Sequence, residues 1–177
     1  MHKFYLIIVL IIAIGCSQKQ TNENIIKFEK VLGKRQTNAL NLLVADFEQN
    51  LNKKYPDLPI KQAYRQFLTD LVSKSADDRE SFEFQSEKTN LEFNQSGLWD
   101  EIYQRDSENG LQTNSLGSYM LALYAIKKSD TVINKYYDVK EQAGIMSNEI
   151  VVSGILSLSP DFDNYFHKRI VVVEFSF

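Results

Sequence analysis

The stretch TNALNLLVADFEQNLNKKYPDLPIKQAYRQFLTDLV, residues 37–72, carries two apolar stripes on either side of a proline-containing turn. In its first half, apolar side chains recur every three or four residues, which is the spacing of one helix face. Thr37 has the chemistry of an N-cap for this helix. The apolar stripe consists of Leu40, Leu43, Val44, Phe47 and Leu51. These residues predict an amphipathic helix with one face in a core.

The turn YPDLP, residues 55–59, ends this helix. Pro56 biases the residue before it towards extended geometry, and Pro59 suits the first turn of a following helix. The second stripe consists of Ile60, Tyr64, Phe67, Leu68, Leu71 and Val72. Two amphipathic helices joined by a short turn predict an antiparallel helix hairpin. The pair is similar to one helical-repeat unit, but no second copy follows at a fixed period, so a tetratricopeptide-like array is the weaker alternative.

Further helices are predicted on both sides of the hairpin. Upstream, residues 25–32 have helical spacing and end at Gly33. Downstream, an exposed loop at residues 73–81 precedes short helices that break at Gly97, and residues 109–115 form another loop. A buried helix is predicted for residues 119–126. We take Ser129 as the N-cap of a helix that ends at Gly144 and Ser147 as the N-cap of the next helix. The apolar stripe between Ser129 and Gly144 consists of Val132, Ile133, Tyr136, Val139 and Ala143.

The last segment, PDFDNYFHKRIVVVEFSF at residues 160–177, fits two secondary structures. Phe162, Phe166 and Ile170 have helical spacing, whereas the β-branched run that starts at Ile170 favours a strand. We favour a helix because no clear partner strand exists elsewhere, and a short C-terminal strand stays as the alternative. The chain as a whole predicts an all-α fold of antiparallel helix hairpins, with a single helical domain at residues 25–177.

The start of the chain has the pattern of an export signal. A short basic start is followed by the apolar run FYLIIVLIIAI, residues 4–14, and then by Gly15-Cys16 and a polar stretch. A bilayer span needs roughly 20 apolar residues, so this run is too short for a permanent anchor. We therefore predict a cleaved signal peptide at residues 1–15 and a flexible tether at residues 16–24.

Gly15-Cys16 resembles the lipobox of bacterial lipoproteins. The resemblance implies that Cys16 is the lipid-attachment residue, becomes the new N-terminus and holds the protein on a membrane. Ser17 stands where such proteins carry Asp for retention in the inner membrane, which favours the outer membrane and its periplasmic leaflet; display on the cell surface stays open. A plain transmembrane anchor and an ordinary secreted protein are the alternatives.

A wider resemblance covers most of the chain. The segments at residues 28–48, 55–68, 96–103 and 164–175 look like those of uncharacterised lipoproteins of Bacteroidetes-type bacteria. This resemblance implies a signal peptide and a mostly helical domain, and it implies no activity. Asp130-Thr131 is similar to the short acceptor sequence for O-linked glycans in the same bacterial group.

Charge and cysteine content exclude several classes of protein. Loss of residues 1–15 removes one of the 20 basic residues and none of the 23 acidic ones, so the formal charge goes from −3 to −4. Basic residues are spread among acids instead of forming a block, which argues against nucleic acid as a partner. Cys16 is the single cysteine, so no disulfide, thiol catalysis or cysteine metal site is predicted.

Few residues have the pattern of a reactive site. His167 is the one histidine beyond the predicted signal peptide, which excludes multi-histidine metal sites, and we interpret it as a packed or surface residue. Asp161 and Asp163 form a D-x-D pair, but acids beside Pro160 are the usual composition of a helix start. The loop that begins at Asp106 is similar to a calcium loop, yet its glycine comes one place early and no glutamate follows at the required distance. We predict no catalytic, cofactor or metal residues.

Aromatic residues in the second half of the chain allow two interpretations. They could line a groove for a glycan or a peptide, or they could pack in the core. We favour core packing. The residues concerned are Trp99, Tyr119, Tyr124, Tyr136 and Tyr137.

The sequence therefore predicts a lipid-anchored protein of the cell envelope that acts as a non-enzymatic binding or protein-interaction module. Its predicted partners are the membrane and another envelope protein. Two alternatives remain. An envelope hydrolase would use paired carboxylates, with at least one pKa raised by burial. A structural tether would have no ligand of its own.

Overall fold

The structure is a computed structural model that describes residues 22–73 and 86–176. The predicted signal peptide, Cys16, most of the predicted loop at residues 73–81 and Phe177 lie outside these ranges. Within them, no helix is both long and apolar enough to cross a membrane.

Nine α-helices, one strand pair and a short 3₁₀ helix at Lys127–Ser129 lie in the described part of the chain. The all-α prediction is confirmed, with the addition of a small antiparallel sheet in which Gln104 lies opposite Gln112. The elements in chain order are α1 (22–32), α2 (Lys34–Lys54), α3 (Ile60–Ser73), α4 (Glu87–Ser96), α5 (Leu98–Ile102), β1 (Tyr103–Arg105), β2 (Leu111–Thr113), α6 (Ser118–Ile126), α7 (Thr131–Ala143), α8 (Asn148–Ser157) and α9 (Tyr165–Phe175).

The C-terminal segment is a helix, so the alternative of a short C-terminal strand is wrong. The side chain of Asn164 caps α9 by accepting a hydrogen bond from the Phe166 amide at 2.8 Å. Val171, Val172 and Val173 are all fully buried. The β-branched run therefore reflects a helix that is enclosed on most sides.

Strand β2 lies where the sequence predicted a loop at residues 109–115, whereas β1, directly after α5, lies outside that loop. The Asp106 carboxylate accepts hydrogen bonds from the amides of Glu108 at 2.9 Å and Gly110 at 2.7 Å, and this turn brings β1 and β2 together. The loop that resembles a calcium site is thus the turn of a hairpin, with its first carboxylate engaged by backbone amides.

Helix α2 begins earlier than predicted. Gly33 has a φ of 98°, a conformation that favours glycine, and its carbonyl accepts the Thr37 amide at 2.8 Å. The chain therefore turns at Gly33 and resumes the helix at Lys34, so Thr37 is a buried residue inside α2 and not its N-cap. Residues 22–24 are already helical, although they fall in the predicted tether.

The predicted hairpin of α2 and α3 forms the aromatic centre of the core. The ring of Phe47 stacks on Tyr64 with 5.5 Å between centroids, and Tyr64 stacks on Phe162 at 5.0 Å. Phe67 meets the edge of Phe47 and lies 6.0 Å from Phe175 of α9. Buried apolar side chains from all these elements form one cluster in the described chain.

Helix α7 starts one residue later than predicted, and its buried face is rotated. Asp130, not Ser129, is the N-cap, because its carboxylate accepts the amides of Val132 at 2.8 Å and Ile133 at 3.1 Å. Val139, placed on the buried stripe by the sequence, is 48% exposed. The buried residues of α7 are Ile133, Tyr136, Tyr137 and Lys140.

Candidate functional site

An apolar groove of about 210 Å³ lies between α7 and α8. Its floor is made of buried side chains of α7, α8 and α9, and its rim carries the exposed side chains of Val139 and Ile150. Lys135 and Ser157 add polar atoms at the edge. The buried floor residues are Tyr136, Val151, Ile155 and Ile170.

Gly154 explains why the groove is open. It lines the groove from within α8, and a Cβ atom added there would meet no heavy atom within 4 Å. A larger side chain at this position would extend into unoccupied space. The groove is smaller than the roughly 300–1,000 Å³ of sites that enclose whole small molecules. It is therefore suited to a few apolar side chains of a partner.

A buried polar cluster supports the groove from beneath. Tyr136 lines the groove with its ring and donates its hydroxyl hydrogen to Glu174 at 2.5 Å. Lys140 Nζ lies 2.8 Å from Glu174 Oε1, and the two side chains are only 2% and 6% exposed. Burial, together with the neighbouring Glu174 carboxylate, raises the pKa of Tyr136 well above its ordinary value. The phenol therefore stays protonated and keeps donating, which holds α7 against α9.

His167 is buried and bonded on both sides. Its Nε2 lies 3.1 Å from each carboxylate oxygen of Asp130, and its Nδ1 accepts the Asp161 amide at 3.0 Å. With both ring nitrogens engaged by the protein, His167 ties the start of α7 to α9 and has no nitrogen free to act as a base. The prediction of a packed histidine is confirmed.

The Asp130 carboxylate is held in its charged form. Burial by itself raises the pKa of Asp130, but the hydrogen bonds from His167 and from the amides of Ile133 and Val132 outweigh burial and lower it. Thr131, next to it, is the exposed first residue of α7.

Asp161 and Asp163 both pair with the lysine Lys61. Lys61 Nζ lies 3.6 Å from Asp161 Oδ1 and also pairs with the Asp163 carboxylate. Neither aspartate caps α9, because Asn164 does so; the expected capping role is thus corrected. In the described residues, no group of three or more His, Cys, Asp or Glu side chains is arranged to hold a metal ion.

Three described carboxylates lack the raised pKa that the hydrolase alternative needs. That mechanism needs an acid with a raised pKa. The pKa of Asp130 is lowered, as described above. Amide hydrogen bonds likewise lower the pKa of Asp106 and of Asp161.

The aromatic residues divide between core and surface. Tyr119, Tyr136 and Tyr137 are buried, which confirms core packing for these three. Tyr124 is 58% exposed, and Trp99 is half-buried against the core. The structure therefore brings only Tyr136 of this set to the groove.

Sequence reasoning missed the groove and the Lys140–Glu174 pair. One signal was available for the pair. Counting from Ile133, positions i+3, i+4 and i+7 are Tyr136, Tyr137 and Lys140, so a lysine occupies a core position of α7. A lysine there requires a buried acid as its partner.

Comparison of the chain with protein-family models, with curated proteins and with solved structures found no match. The predicted lipid-attachment residue, Cys16, lies outside the described residues.

Proposed function

We propose that this chain is a lipid-anchored protein of the cell envelope that binds another envelope protein and catalyses no reaction. The observation that carries the proposal is the groove between α7 and α8, with its buried apolar floor and its exposed apolar rim. Exposed apolar side chains that surround a concave surface are typical of protein-interaction sites.

The partner segment that fits this groove is an amphipathic helix. Two helices border the groove, and helix-in-groove recognition places apolar side chains one turn apart into such a space. Lys135 at the edge favours an acidic residue next to the apolar anchors of the partner.

Support for the anchor comes from the sequence of residues 1–16. The short apolar run followed by Gly15-Cys16 resembles a lipoprotein signal, and two or three acyl chains on Cys16 would hold the protein on a membrane stably. We place the protein on the outer membrane, in the periplasmic leaflet, with the cell surface as the alternative location.

The test fills the groove in the full-length, natively processed protein. Gly154→Leu puts a side chain into open space and replaces glycine with a better helix former, so the fold should be retained. Cross-linking in cells, followed by gentle extraction, should capture an envelope protein whose cross-linked peptide lies in an amphipathic helix. Gly154→Leu should weaken this capture about 30-fold, as loss of a hot-spot contact does.

Two variants serve as controls. Ser153→Leu adds the same side chain at the neighbouring exposed position, which does not line the groove, and capture should be unchanged. Cys16→Ala should release the protein from the membrane fraction and lose the partner. Equal capture by Gly154→Leu and Ser153→Leu would rule out the groove as the binding site, and capture of background proteins alone would favour the structural tether.

A further inference from the structure

A second surface, at the end of α6 and the start of α1, is basic. An open pocket of about 430 Å³ there is lined by three lysines from two separate helical segments, together with Tyr124. We call Lys27, Tyr124, Lys127 and Lys128 the basic patch.

The charges of the basic patch are only partly neutralised. Lys127 pairs with Asp138 at 2.9 Å and lies 4.3 Å from the ring centroid of Tyr137. Lys27 and Lys128 are exposed, and neither forms an ion pair with any residue in the described ranges. Two positive charges therefore remain available to an anion.

The acids near the basic patch do not cancel these charges. Asp130 is bonded to His167, and Asp138 is bonded to Lys127. Glu23 lies one turn before Lys27 on α1 without bonding to it. Lysines at the end of a helix also complement its dipole, which accounts for Lys127 and Lys128. Lys27 belongs to α1, and the helix dipole of α6 does not explain its position.

The position of the basic patch relative to Cys16 identifies the source of the anion. Five residues separate Cys16 from Asn22, where the described part of α1 starts, and the six steps from one to the other can span at most about 20 Å. Asn24 and Lys27, within the first two turns of α1, line the pocket. If Cys16 is held in a membrane, the basic patch must lie close to the headgroups. Tyr124, exposed beside the lysines, is a residue type enriched at membrane interfaces.

We propose that the basic patch binds the phosphate groups of anionic phospholipids in the membrane that holds the anchor, and so fixes how the domain is oriented. This inference rests on the proposed anchoring at Cys16. Among the described residues, none lines both the basic patch and the α7–α8 groove, so headgroup contact leaves the groove open to its partner.

The test measures the reactivity of each lysine in the full-length acylated protein, reconstituted into vesicles. Acetylation rates are read by mass spectrometry in phosphatidylcholine vesicles and in vesicles that also contain phosphatidylglycerol. A lysine near an anionic surface contributes about 1 kcal/mol, which corresponds to about fivefold. Lys27 and Lys128 should therefore react about fivefold more slowly with phosphatidylglycerol present, whereas Lys53 and Lys88, which are exposed elsewhere, should not change.

Substitutions inside and outside the basic patch, together with inorganic phosphate as a second anion, test whether the basic patch binds lipid headgroups. Lys27→Gln should weaken the lipid-dependent protection of Lys128, and Lys53→Gln should preserve it. The proposal would be overturned if Lys27 and Lys128 each reacted at the same rate with and without phosphatidylglycerol in the vesicles. Equal protection by inorganic phosphate in detergent would also overturn it, because the pocket would then be a site for the free anion.

The same sample tests the lipid anchor and the headgroup contact separately. The mass of the N-terminal peptide shows whether Cys16 is acylated. An unmodified Cys16 would refute the anchor, and the lysine rates of that protein mixed with the two kinds of vesicle would still decide whether the basic patch meets headgroups.

Discussion

Lys140 is a buried lysine whose charge needs a compensating partner. Its side chain is 2% exposed and pairs with Glu174, which is 6% exposed. Removing one member of a buried ion pair leaves the other charge without compensation and costs about 3–5 kcal/mol. We therefore expect Lys140→Met to lower the free energy of unfolding by about 3–5 kcal/mol. Denaturant unfolding measures this change.

Two further variants test whether the loss of stability comes from the unpaired charge of Glu174. Lys140→Met/Glu174→Leu removes both charges and should recover most of the stability, because apolar replacement of a buried pair is often neutral. Lys128→Met removes an exposed lysine and should change the free energy of unfolding by less than about 0.5 kcal/mol. Similar losses for Lys140→Met and Lys128→Met would contradict the burial of the pair.

At the scale of elements, the contact between α5 and α6 depends on Gly117. A Cβ atom there would lie 2.2 Å from the backbone carbonyl oxygen of Glu101, which cannot move freely. The adjacent Ser118 fixes the start of α6, because its hydroxyl donates to the Leu32 carbonyl at 3.1 Å. We expect Gly117→Ala to force the helices apart and to lower the free energy of unfolding by about 1–3 kcal/mol.

Gly154→Ala is the matched control for Gly117→Ala. A Cβ atom at Gly154 meets no heavy atom within 4 Å, and alanine is favoured over glycine inside a helix by about 0.5–1 kcal/mol. The two Gly→Ala variants should therefore change the denaturation midpoint in opposite directions. Destabilisation by both variants would show that the space at Gly154 is not open.

The long helices could be predicted from the sequence because each carries its own signal. The stripes that contain Phe47 and Phe67 have helical spacing, and the prolines of residues 55–59 separate them. Strands β1 and β2 have three residues each, fewer than any periodicity requires, and their pairing depends on the Asp106 turn. Helix boundaries such as Asp130 were off by one residue, because serine and aspartate cap helices equally well.

At the scale of the whole molecule, neither the α7–α8 groove nor the basic patch has a signal in the sequence. The groove combines side chains of α7, α8 and α9, and the basic patch joins Lys27 to Lys128. These residues meet because the core places their helices side by side. The predicted role of Cys16 does have a signal in the sequence, because export signals are read in the unfolded chain and can be recognised without the fold.

For the molecule as a whole, we expect that a substitution in either the groove or the basic patch leaves binding at the other surface unchanged. They share no lining residue among those described, and the effects of substitutions at separate sites usually add. Gly154→Leu should lose the partner and keep the lipid-dependent protection of Lys128. Lys27→Gln should weaken the lipid-dependent protection of Lys128 and keep the partner. Cross-linking in cells measures the partner, and lysine acetylation of the same variants in reconstituted vesicles measures the lipid contact. If Lys27→Gln also lost the partner, the partner would bind only a domain that is oriented by the headgroups, and the two surfaces would act together.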